Sequence, residues 1–584
     1  MQPAVTDIRR STTSGRLRRP TGAAEGGVRV DPRNGIDPDG GMKRRRVACQ
    51  FNSIANRSAD RRDAAFRPTA DESMPKNENK RIPMKPITWL VMSAVLALSA
   101  CGGDDVATNG GASSAAPGNP GSPSGTTPPG GGSSGGPTGG GTAQPQAGWS
   151  TAVAVDGNGP EGDPSVTIDA SGNALASWMT LGPAGANGNE MWGARYVPGS
   201  GWASATRLDT SDGSHSMNGL TGVQPQLVGN ASGQAVAFWT EWMPGPNTYA
   251  LWARPYSPGT GWGAPLELAA DMAGSSYTAG IDSQGNALVA WTQSISLLDT
   301  RIAWTRYTQA GQWSPTALIQ MPVQTGPGAV TGDTDNVRPM MSVLPSGRAV
   351  LAWRQTNHTQ SALWTATYDA TNGWTDVNQA VSNSSLFTTI ISPVAGMDAK
   401  GNITLLWGQL DVTGGQILTA TMSQRYVAGT GWQPAQPVAP AIAEPTGFIA
   451  TPMLTVNENG VAAAMWAEGG AVLQASVSDA SGNWGPLQRL TEHLNGAAAQ
   501  YPPLVIDAAG NVTAAWQDTG LPGASAVIAA TYRKGAWSAS TVAAQSASWP
   551  ALAVNGTGSM ALVWQSYVAS IGSQLQSSFY TPGT

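Results

Sequence analysis

The chain has 584 residues, of which 73 are glycine, 42 are proline and 23 are tryptophan, while only 12% carry a charge. Two cysteines are too few for a disulfide scaffold or a cysteine-rich zinc site, and the three histidines lack the HExxH spacing of a zinc protease. Residues 1–100 contain 19 basic and 10 acidic side chains, whereas the rest contains 13 basic and 27 acidic ones, a net charge of −14. This acidic part of the chain argues against nucleic acid as a partner, because it cannot neutralise phosphates.

The first interpretable element along the chain is a short targeting signal that begins at Met84. Basic residues flank it, and residues 87–98 form an apolar run that is short for a membrane span. The run ends in Leu98-Ser-Ala-Cys101, which resembles the lipobox of bacterial lipoproteins. The resemblance implies that 84–100 is a cleaved signal peptide and that Cys101 is an acylated N-terminus, for example with palmitate. The protein would then be anchored in the cell envelope, at the outer membrane, facing the periplasm or the surface. The alternative is an uncleaved signal-anchor helix with an incidental cysteine.

The regions on either side of this signal do not have the composition of folded domains. Residues 1–83 are rich in arginine and poor in apolar residues, so we expect them to be disordered or to be an upstream extension of the reading frame. In the second case translation starts at Met74 or Met84. Residues 101–147 are almost entirely Gly, Ser, Pro and Thr, which predicts a flexible tether. The folded domain is therefore expected at 148–584.

Residues 148–584 contain an internal repeat in which a glycine is followed six residues later by a tryptophan. The eight pairs are Gly172/Trp178, Gly233/Trp239, Gly285/Trp291, Gly347/Trp353, Gly401/Trp407, Gly460/Trp466, Gly510/Trp516 and Gly558/Trp564. Asp or Asn stands three residues before the glycine in seven repeats, and Pro stands eight residues before it in seven. Proline is tolerated at the start of a strand, and the Asp-x-x-Gly segment is typical of a tight turn. We therefore expect a hairpin here, followed by a third strand and, after a second tryptophan, a fourth.

The two ends of the repeat region complement each other. Seven second tryptophans follow the eight first ones, and the chain stops where the eighth would continue. The missing strand is supplied by Gly148-Trp149 at the other end of the domain. An open solenoid gains nothing from such an offset, whereas a closed ring gains a clasp between its ends. The sequence therefore predicts an all-β fold, an eight-bladed β-propeller of four-stranded antiparallel blades whose last blade is completed by an N-terminal strand.

These repeats resemble the propeller-forming repeats of bacterial secreted and surface lipoproteins across 148–584. They are not a good match to the sialidase Asp-box, to WD40 blades or to kelch repeats, because the spacings and signatures of those families are absent. The resemblance implies the architecture without identifying a propeller family.

Candidate ligand-binding residues follow from the repeat itself. Two residues beyond each first tryptophan a polar side chain recurs, which should place a ring of polar groups around one mouth of the channel. The ring comprises Glu241, Gln293, Gln355, Gln409, Glu468 and Asp518, with Thr180 and Ser566 in the other two repeats. One interpretation is a set of acceptors for a hydroxyl-rich or cationic ligand. The other is that strand ends simply become polar where they meet water.

Two tryptophans, Trp242 and Trp549, lie outside the repeat pattern. Trp242 belongs to a Glu-Trp-Met-Pro-Gly loop and is the better candidate for stacking on a ligand. The sixteen repeat tryptophans are expected to be core residues wedged between blades.

Two classes of function remain open at this point. The first is a monomeric, non-enzymatic binding or interaction scaffold with a ligand on one face, either a carbohydrate, as in a lectin, or a protein. The second is a glycan-active hydrolase, sialidase-like, that would use carboxylates such as Glu241, Glu468 and Asp518. Similar repeats favour binding, because catalysis needs asymmetry. No cofactor is expected, although an acidic loop such as Asp333-Thr-Asp335 has oxygen ligands that suit calcium.

Overall fold

The computed structural model describes residues 148–582 with internal gaps. The gaps are 157–160, 181–188, 210–224, 244–247, 297–298, 325–329, 331–333, 358, 383–387, 444–450, 495–501, 521–524, 539–540 and 569–571. The three N-terminal segments, 1–83, 84–100 and 101–147, lie outside the described residues, and so do Cys101 and Asp333. Their assignments stay predictions.

The described residues form strands and no helix. The first half of the domain contains β1 (Gly148–Trp149), β2 (Val153–Ala154), β3 (Glu161–Ile168), β4 (Ala174–Thr180), β5 (Glu190–Val197), β6 (Gly201–Trp202), β7 (Thr206–Arg207), β8 (Gln226–Gly229), β9 (Ala235–Met243), β10 (Thr248–Ser257), β11 (Gly261–Trp262), β12 (Leu266–Ile281), β13 (Ala287–Ser296), β14 (Asp299–Thr308), β15 (Gln312–Trp313), β16 (Ala317–Leu318), β17 (Asp335–Val343), β18 (Ala349–Thr356), β19 (Ser361–Asp369) and β20 (Gly373–Ser382). The second half contains β21 (Thr388–Met397), β22 (Ile403–Thr413), β23 (Gln416–Val427), β24 (Gly431–Trp432), β25 (Gln436–Pro437), β26 (Ile442–Ala443), β27 (Met453–Val456), β28 (Ala462–Glu468), β29 (Val472–Val477), β30 (Gln488–Thr491), β31 (Leu504–Ile506), β32 (Val512–Asp518), β33 (Ala526–Arg533), β34 (Ala536–Trp537), β35 (Thr541–Gln545), β36 (Ala547–Val554), β37 (Met560–Val568) and β38 (Gly572–Thr581). Within these residues, no helix has the length and apolarity needed to cross a membrane.

Each repeat folds as the sequence predicts, into an antiparallel sheet whose strands follow chain order. The first repeat, for example, pairs β3 with β4, β4 with β5, and β5 with β6 and β7. The all-β fold of four-stranded antiparallel sheets is therefore confirmed.

The turn between the first two strands has the chemistry that its sequence implies. In the first repeat the carboxylate of Asp169 accepts hydrogen bonds from the backbone N–H groups of Ser171 and Asn173, at 2.8 and 2.9 Å. Gly172 has a φ of 80°, a left-handed conformation that favours glycine. The side chain of the turn thus replaces strand hydrogen bonds that the chain loses where it reverses.

The predicted clasp is confirmed. β1 pairs with β38, with Trp149 opposite Tyr580, and β2 pairs with the same strand further along. The two rings of this pair lie 5.5 Å apart. Six other repeats form the same tyrosine–tryptophan pair within one continuous hairpin, at 5.0 to 5.7 Å: Tyr196/Trp202, Tyr256/Trp262, Tyr307/Trp313, Tyr368/Trp374, Tyr426/Trp432 and Tyr532/Trp537. The two ends of the domain therefore build an ordinary third–fourth strand hairpin from separate segments.

The first strands of the repeats line a central axis. Each contacts the first strand of the next repeat, in the order β3, β8, β12, β17, β21, β27, β31 and β36, and β36 contacts β3 again. A closed cycle of this kind among the described strands defines a ring around a channel, as in a β-propeller.

Hydrogen bonds between neighbouring turns alternate around this ring. The asparagines of the second, sixth and eighth repeats each donate from Nδ2 to the backbone oxygen of the aspartate in the next turn. These bonds are Asn230 to Asp282, Asn457 to Asp507 and Asn555 to Asp169, at 3.0, 3.3 and 2.9 Å. The aspartates of odd repeats instead bind the asparagine four residues further on in their own turn, as Asp169 binds Asn173 at 2.7 Å. In the fourth repeat, where Leu344 replaces asparagine, Arg348 donates to the backbone oxygen of Ala399.

Aromatic and small apolar side chains fill the space between the sheets. The first tryptophan of every repeat is buried, with at most 5% of its surface exposed. Alanine, valine and leucine of the second strands pack around these rings, as in the cluster of Ala176, Trp178 and Val563 between the first and last repeats. The second tryptophans are only partly buried and lie against the tyrosines of the third strands, except Trp484, whose indole donates to Ser423.

The number of separate blades stays a prediction. The described strands form seven hydrogen-bonded sheets, because β12 is continuous and joins the second and third repeats into one nine-stranded sheet. The turns of successive repeats alternate between two hydrogen-bonding arrangements, and such an alternation closes on itself only in a ring with an even number of repeats. This is consistent with the eight repeats counted in the sequence.

Candidate functional site

One mouth of the channel is formed by the ends of the second strands and the beginnings of the first strands. In the first repeat, Glu161 begins β3 and pairs with Thr180, which ends β4. Thr180 is the first member of the predicted polar ring, so the ring positions lie on this mouth. The Asp-x-x-Gly turns lie at the opposite rim, because they join the other ends of the same two strands.

Most residues of the polar ring bond the tryptophan that precedes them. The indole N–H groups of Trp239, Trp291, Trp407, Trp516 and Trp564 donate to Glu241, Gln293, Gln409, Asp518 and Ser566, at 3.0, 2.8, 3.2, 3.4 and 3.0 Å. A buried indole N–H without a partner is costly, so a polar residue two positions along the strand satisfies it on the same face. Glu241 and Asp518 are themselves only 2% and 7% exposed.

Gln355 and Glu468 have other partners. Trp353 donates to Asn336, and the Oε1 of Gln355 accepts instead from the indole of Trp364 at 3.1 Å and from Gln324. Glu468 is bonded to the side-chain amide of Gln474. Most members of the polar ring thus accept hydrogen bonds from tryptophan indoles. The assignment of these residues to ligand binding stays a prediction.

Trp242 lies on β9 and its ring packs against Tyr249 on β10, with the centroids 4.9 Å apart. It therefore lies on a strand rather than in the loop that its sequence suggested, in the hairpin between the second and third strands of the second repeat, and it is partly buried. Its role in stacking on a ligand stays a prediction.

A second set of mouth residues was not singled out from the sequence. In four repeats the residue immediately before the proline has a positive φ: Asp163 (51°), Arg338 (54°), Ser392 (50°) and Trp549 (50°). Each lies at a bulge where the pairing between the first and second strands shifts register. A bulge with a left-handed residue turns its side chain out of the strand pattern, and such strained positions concentrate near functional sites.

These pre-proline positions converge around the axis. Ser392 of the fifth repeat and Thr451, the corresponding residue of the sixth, lie 3.2 Å apart through their hydroxyl groups. Their chemistry varies from repeat to repeat, with an acid, a base, hydroxyls and an aromatic ring. The available sequence signal was a variable residue at a fixed place, before the repeated proline.

The mouth is most elaborate where the last repeat meets the first. Glu161 is completely buried, and its Oε2 accepts a hydrogen bond from the backbone N–H of Leu575 at 2.7 Å, while its Oε1 has no hydrogen-bond partner. Gln565 of the last repeat donates to the backbone oxygen of Glu161 at 2.9 Å and accepts from Ser548 at 3.3 Å. This chain of bonds connects β36, β37 and β3 around the clasp.

Burial changes the acidity of two carboxyl groups here. Desolvation, together with a hydrogen bond and charge repulsion from Asp156, raises the pKa of Glu161 to about 8. Desolvation alone raises the pKa of Asp163 to about 6. With a pKa of about 8, Glu161 is mostly protonated at neutral pH and can donate a hydrogen bond, which an ordinary surface carboxylate cannot do. Asp163, with a pKa of about 6, is mostly ionised at neutral pH.

Two large aromatic side chains are exposed on the same part of the mouth. Trp549 follows Ser548 and is 38% exposed, and Tyr567 is two residues from Gln565 and is 73% exposed. Gln565 and Tyr567 point to the same face of β37, since alternate residues of a strand share a face. We refer to Glu161, Asp163, Trp549, Gln565 and Tyr567 as the clasp site.

The fourth repeat contributes cationic groups to the mouth. Desolvation, with repulsion from Arg338, lowers the pKa of Arg354 to about 10. Arg338 occupies the position that Asp163 has in the first repeat, so the mouth is acidic in one sector and basic in another. Among the described residues, no group of three or more His, Cys, Asp or Glu side chains is placed to hold a metal ion.

No family model matches the chain, and no curated protein matches it either. It is similar in structure to an α-L-arabinanase of Penicillium chrysogenum bound to arabinobiose, at 13% identity, a TM-score of 0.34, and coverage of 74% of this chain and 98% of that one. A lectin of Burkholderia pseudomallei matches at 13% identity and a TM-score of 0.35, over 59% and 99% of the two chains. An α-L-arabinofuranosidase of Fusarium graminearum matches at 11% identity and a TM-score of 0.34, over 64% and 94%. With likenesses this distant, the fold is established by the strand pairing and ring closure described above.

Proposed function

We propose that this protein is a cell-envelope lipoprotein whose β-propeller binds carbohydrate at the clasp site without catalysing a reaction. The observation that supports it is the combination at that site of two exposed aromatic rings with buried groups that donate and accept hydrogen bonds. Aromatic faces pack against the apolar faces of sugar rings, and a few fixed polar groups select the hydroxyls.

Specificity on this proposal comes from the differences between repeats. The bonds of the polar ring recur around the mouth and are largely used by tryptophan, whereas Trp549, Tyr567 and Asp163 each occur in one repeat only. A single oriented site follows more readily from such non-equivalent residues than from a ring of equivalent ones.

The proposal is tested by glycan-array binding of the purified full-length protein and of two variants. Trp549→Ala is expected to abolish specific binding, while Leu487→Ala, which removes another exposed apolar side chain (41% exposed) ahead of β30 in the sixth repeat, should leave it unchanged. Equal binding by the two variants would exclude the clasp site. If Trp242→Ala alone removed binding, the second repeat would carry the site instead.

The anchoring part of the proposal rests on the Leu98-Ser-Ala-Cys101 sequence and the tether that follows it. Cys101→Ser is expected to release the protein from the membrane fraction of the expressing bacterium and to prevent incorporation of labelled palmitate. Retention of the variant in membranes would favour an uncleaved anchor helix.

A glycan-active hydrolase is the second candidate, and the protonated state of Glu161 favours it. A carboxylic acid that keeps its proton at neutral pH is what a general acid requires. Release of reducing ends from a polysaccharide panel by the wild type, lost in Glu161→Gln, would establish the hydrolase, whereas binding without release in both proteins would support the lectin-like function.

A further inference from the structure

The rim opposite the mouth contains four related clefts between an odd repeat and the even repeat that follows it. Each combines the turn aspartate of the odd repeat with the turn glycine of the even one. The third strand of each odd repeat also carries an arginine, which precedes a tyrosine in the first, third and fifth repeats and follows it in the seventh. The aspartate Oδ2 lies 2.9 to 3.1 Å from the position that a Cβ would take on that glycine, in the pairs Asp169/Gly233, Asp282/Gly347, Asp398/Gly460 and Asp507/Gly558. The glycine therefore allows the aspartate of one repeat to approach the backbone of the next.

In three of the four clefts, the arginine is engaged by the protein. Arg306 forms a side-chain hydrogen bond with Tyr368. Arg425 donates to the backbone oxygen of Ala480 at 2.9 Å and lies 3.8 Å from Asp398. Arg533 lies over the ring of Tyr580, 5.3 Å from its centroid. Each of these guanidinium groups therefore has a contact within the protein, although the Nε of Arg533 has no hydrogen-bond partner.

The cleft between the first and second repeats differs from the other three. The guanidinium of Arg195 forms no hydrogen bond and no ion pair with any residue that the structure describes, although its charge acts on the phenol of Tyr256, where it opposes the rise in pKa that burial causes. This cleft holds about 270 Å³ of open space, including the part continuous with solvent. Its walls include Asp169, Arg195, Gln234 and Tyr256. Its enclosed part accommodates a single water-sized group, so only one functional group of a larger ligand fits inside.

The polar groups of this cleft indicate the class of ligand. Arg195 offers donors, and the hydroxyl of Tyr256 adds to them. The carboxylate of Asp169 already accepts three hydrogen bonds, two on Oδ1 and one on Oδ2, which leaves Oδ2 able to accept one more. A positive and a negative group on the walls of one cleft make it neutral overall, which disfavours a free anion and favours a hydroxyl that accepts from arginine and donates to aspartate.

We infer that the cleft between the first and second repeats is a second binding site, which takes a hydroxyl group of a neutral saccharide through Arg195 and Asp169. The inference does not depend on the clasp site, since the two sites are at opposite rims and share no residue.

The test is saturation-transfer NMR and calorimetry on the full-length protein with the methyl glycosides of fucose, galactose, mannose and glucose, and with sodium acetate as an anionic probe. At least one glycoside is expected to bind, and Arg195→Ala to weaken it at least about tenfold, as expected for a hydrogen bond to a charged group. The matched control is Arg306→Ala, which removes the corresponding guanidinium from an engaged cleft and should leave binding unchanged. Tyr256→Phe provides a milder variant should Arg195→Ala lower the yield of folded protein, which thermal unfolding would reveal.

Each outcome separates the two sites. Loss of binding in Arg195→Ala with retention in Trp549→Ala assigns the sugar to the cleft, and the reverse pattern overturns the cleft while supporting the clasp site. Binding of acetate in place of the glycosides, equal affinities in Arg195→Ala and the wild type, or no glycoside binding at millimolar concentration would each overturn the inference.

Discussion

The two rims of the ring differ in how far the repeats resemble one another. At the turn rim, the same aspartate or asparagine bonds recur, and they alternate regularly from one repeat to the next. At the mouth, the residues before the prolines include Asp163, Arg338, Ser392 and Trp549, which share a backbone conformation and no chemistry. Repetition therefore marks the part of the molecule that holds the ring together, and its loss marks the part that is free to acquire a ligand.

Within the mouth, the same distinction separates two layers. The polar ring is repeated, and its members mostly satisfy the indole N–H groups of buried tryptophans. The clasp site is not repeated, and it leaves a buried carboxyl oxygen of Glu161 without a partner. The repeated layer thus satisfies most of its indole groups, with Trp178 as an exception, whereas the clasp site buries a carboxyl group at a cost in stability.

The largest effect on the free energy of unfolding is expected at the clasp site, where the carboxyl group of Glu161 is buried. The pKa of Glu161 is near 4.5 in an unfolded chain and about 8 in the folded protein, so between these values the folded state holds a proton that the unfolded state has released. The free energy of unfolding should therefore fall as the pH rises towards 8. Above the pKa of Asp163, about 6, that carboxyl no longer contributes, so the decrease from pH 6 to 8 belongs to Glu161. It should be on the order of 2 kcal/mol.

Glu161→Gln should remove this dependence, because the amide can still accept from Leu575 and can donate towards Asp156 without carrying a charge. Urea denaturation at pH 6 and 8 measures the effect in both proteins. The matched control is Glu190→Gln, in a partly exposed ion pair with Arg207 at 2.8 Å, which should keep the wild-type slope. An identical slope in Glu161→Gln and the wild type would mean that ionisation of the buried Glu161 does not lower the free energy of unfolding.

A smaller effect is expected from the repeated layer of the mouth. Gln293→Leu would leave the indole N–H of Trp291 buried without its partner at 2.8 Å, and should lower the free energy of unfolding by about 1 to 2 kcal/mol. Because the amide is used by tryptophan, saccharide binding should not change. A variant of normal stability with weakened binding would instead make the polar ring part of the ligand site and would remove the distinction between the two layers. Denaturation and glycan binding on the same preparation give both quantities.

The repeated features were the predictable ones. Strand pairing, the turn and the clasp follow from local chemistry at fixed spacing, since Pro, Asp and Gly have the same backbone preferences in every repeat. Even the clasp was readable, because Trp149 is the partner that Tyr580 would otherwise lack. The continuity of β12 across two repeats was not readable, because it depends on the course of one connection rather than on the repeated residues.

The clasp site was harder to predict for a physical reason. Its residues are assembled from β3, β36 and β37, which are nearly 400 positions apart in the chain, and the burial of Glu161 appears only when the ring closes. The residue before each proline stood at a known position, but proline ordinarily directs its predecessor to extended conformations, so the bulge was not expected. Trp549 therefore stood out in the sequence only as a ring outside the pattern.

The smallest expected effect is a difference in stability between alanine variants of two turn-rim glycines that have similar conformations. Gly172 and Gly233 have φ values of 80° and 79°, so alanine is strained at either position. A Cβ on Gly172 meets only Pro198, at 3.6 Å, whereas one on Gly233 lies 3.1 Å from both Asp169 and Pro258. Gly172→Ala should cost about 1 kcal/mol from the backbone alone, and Gly233→Ala about 1 kcal/mol more because Asp169 must move. Equal losses in thermal denaturation would mean that the approach of aspartate to the next turn contributes little. A larger loss at Gly233 would show that the alternation around the rim contributes to the stability of the ring. Only the glycines of the second, fourth, sixth and eighth repeats are approached by the aspartate of the preceding repeat.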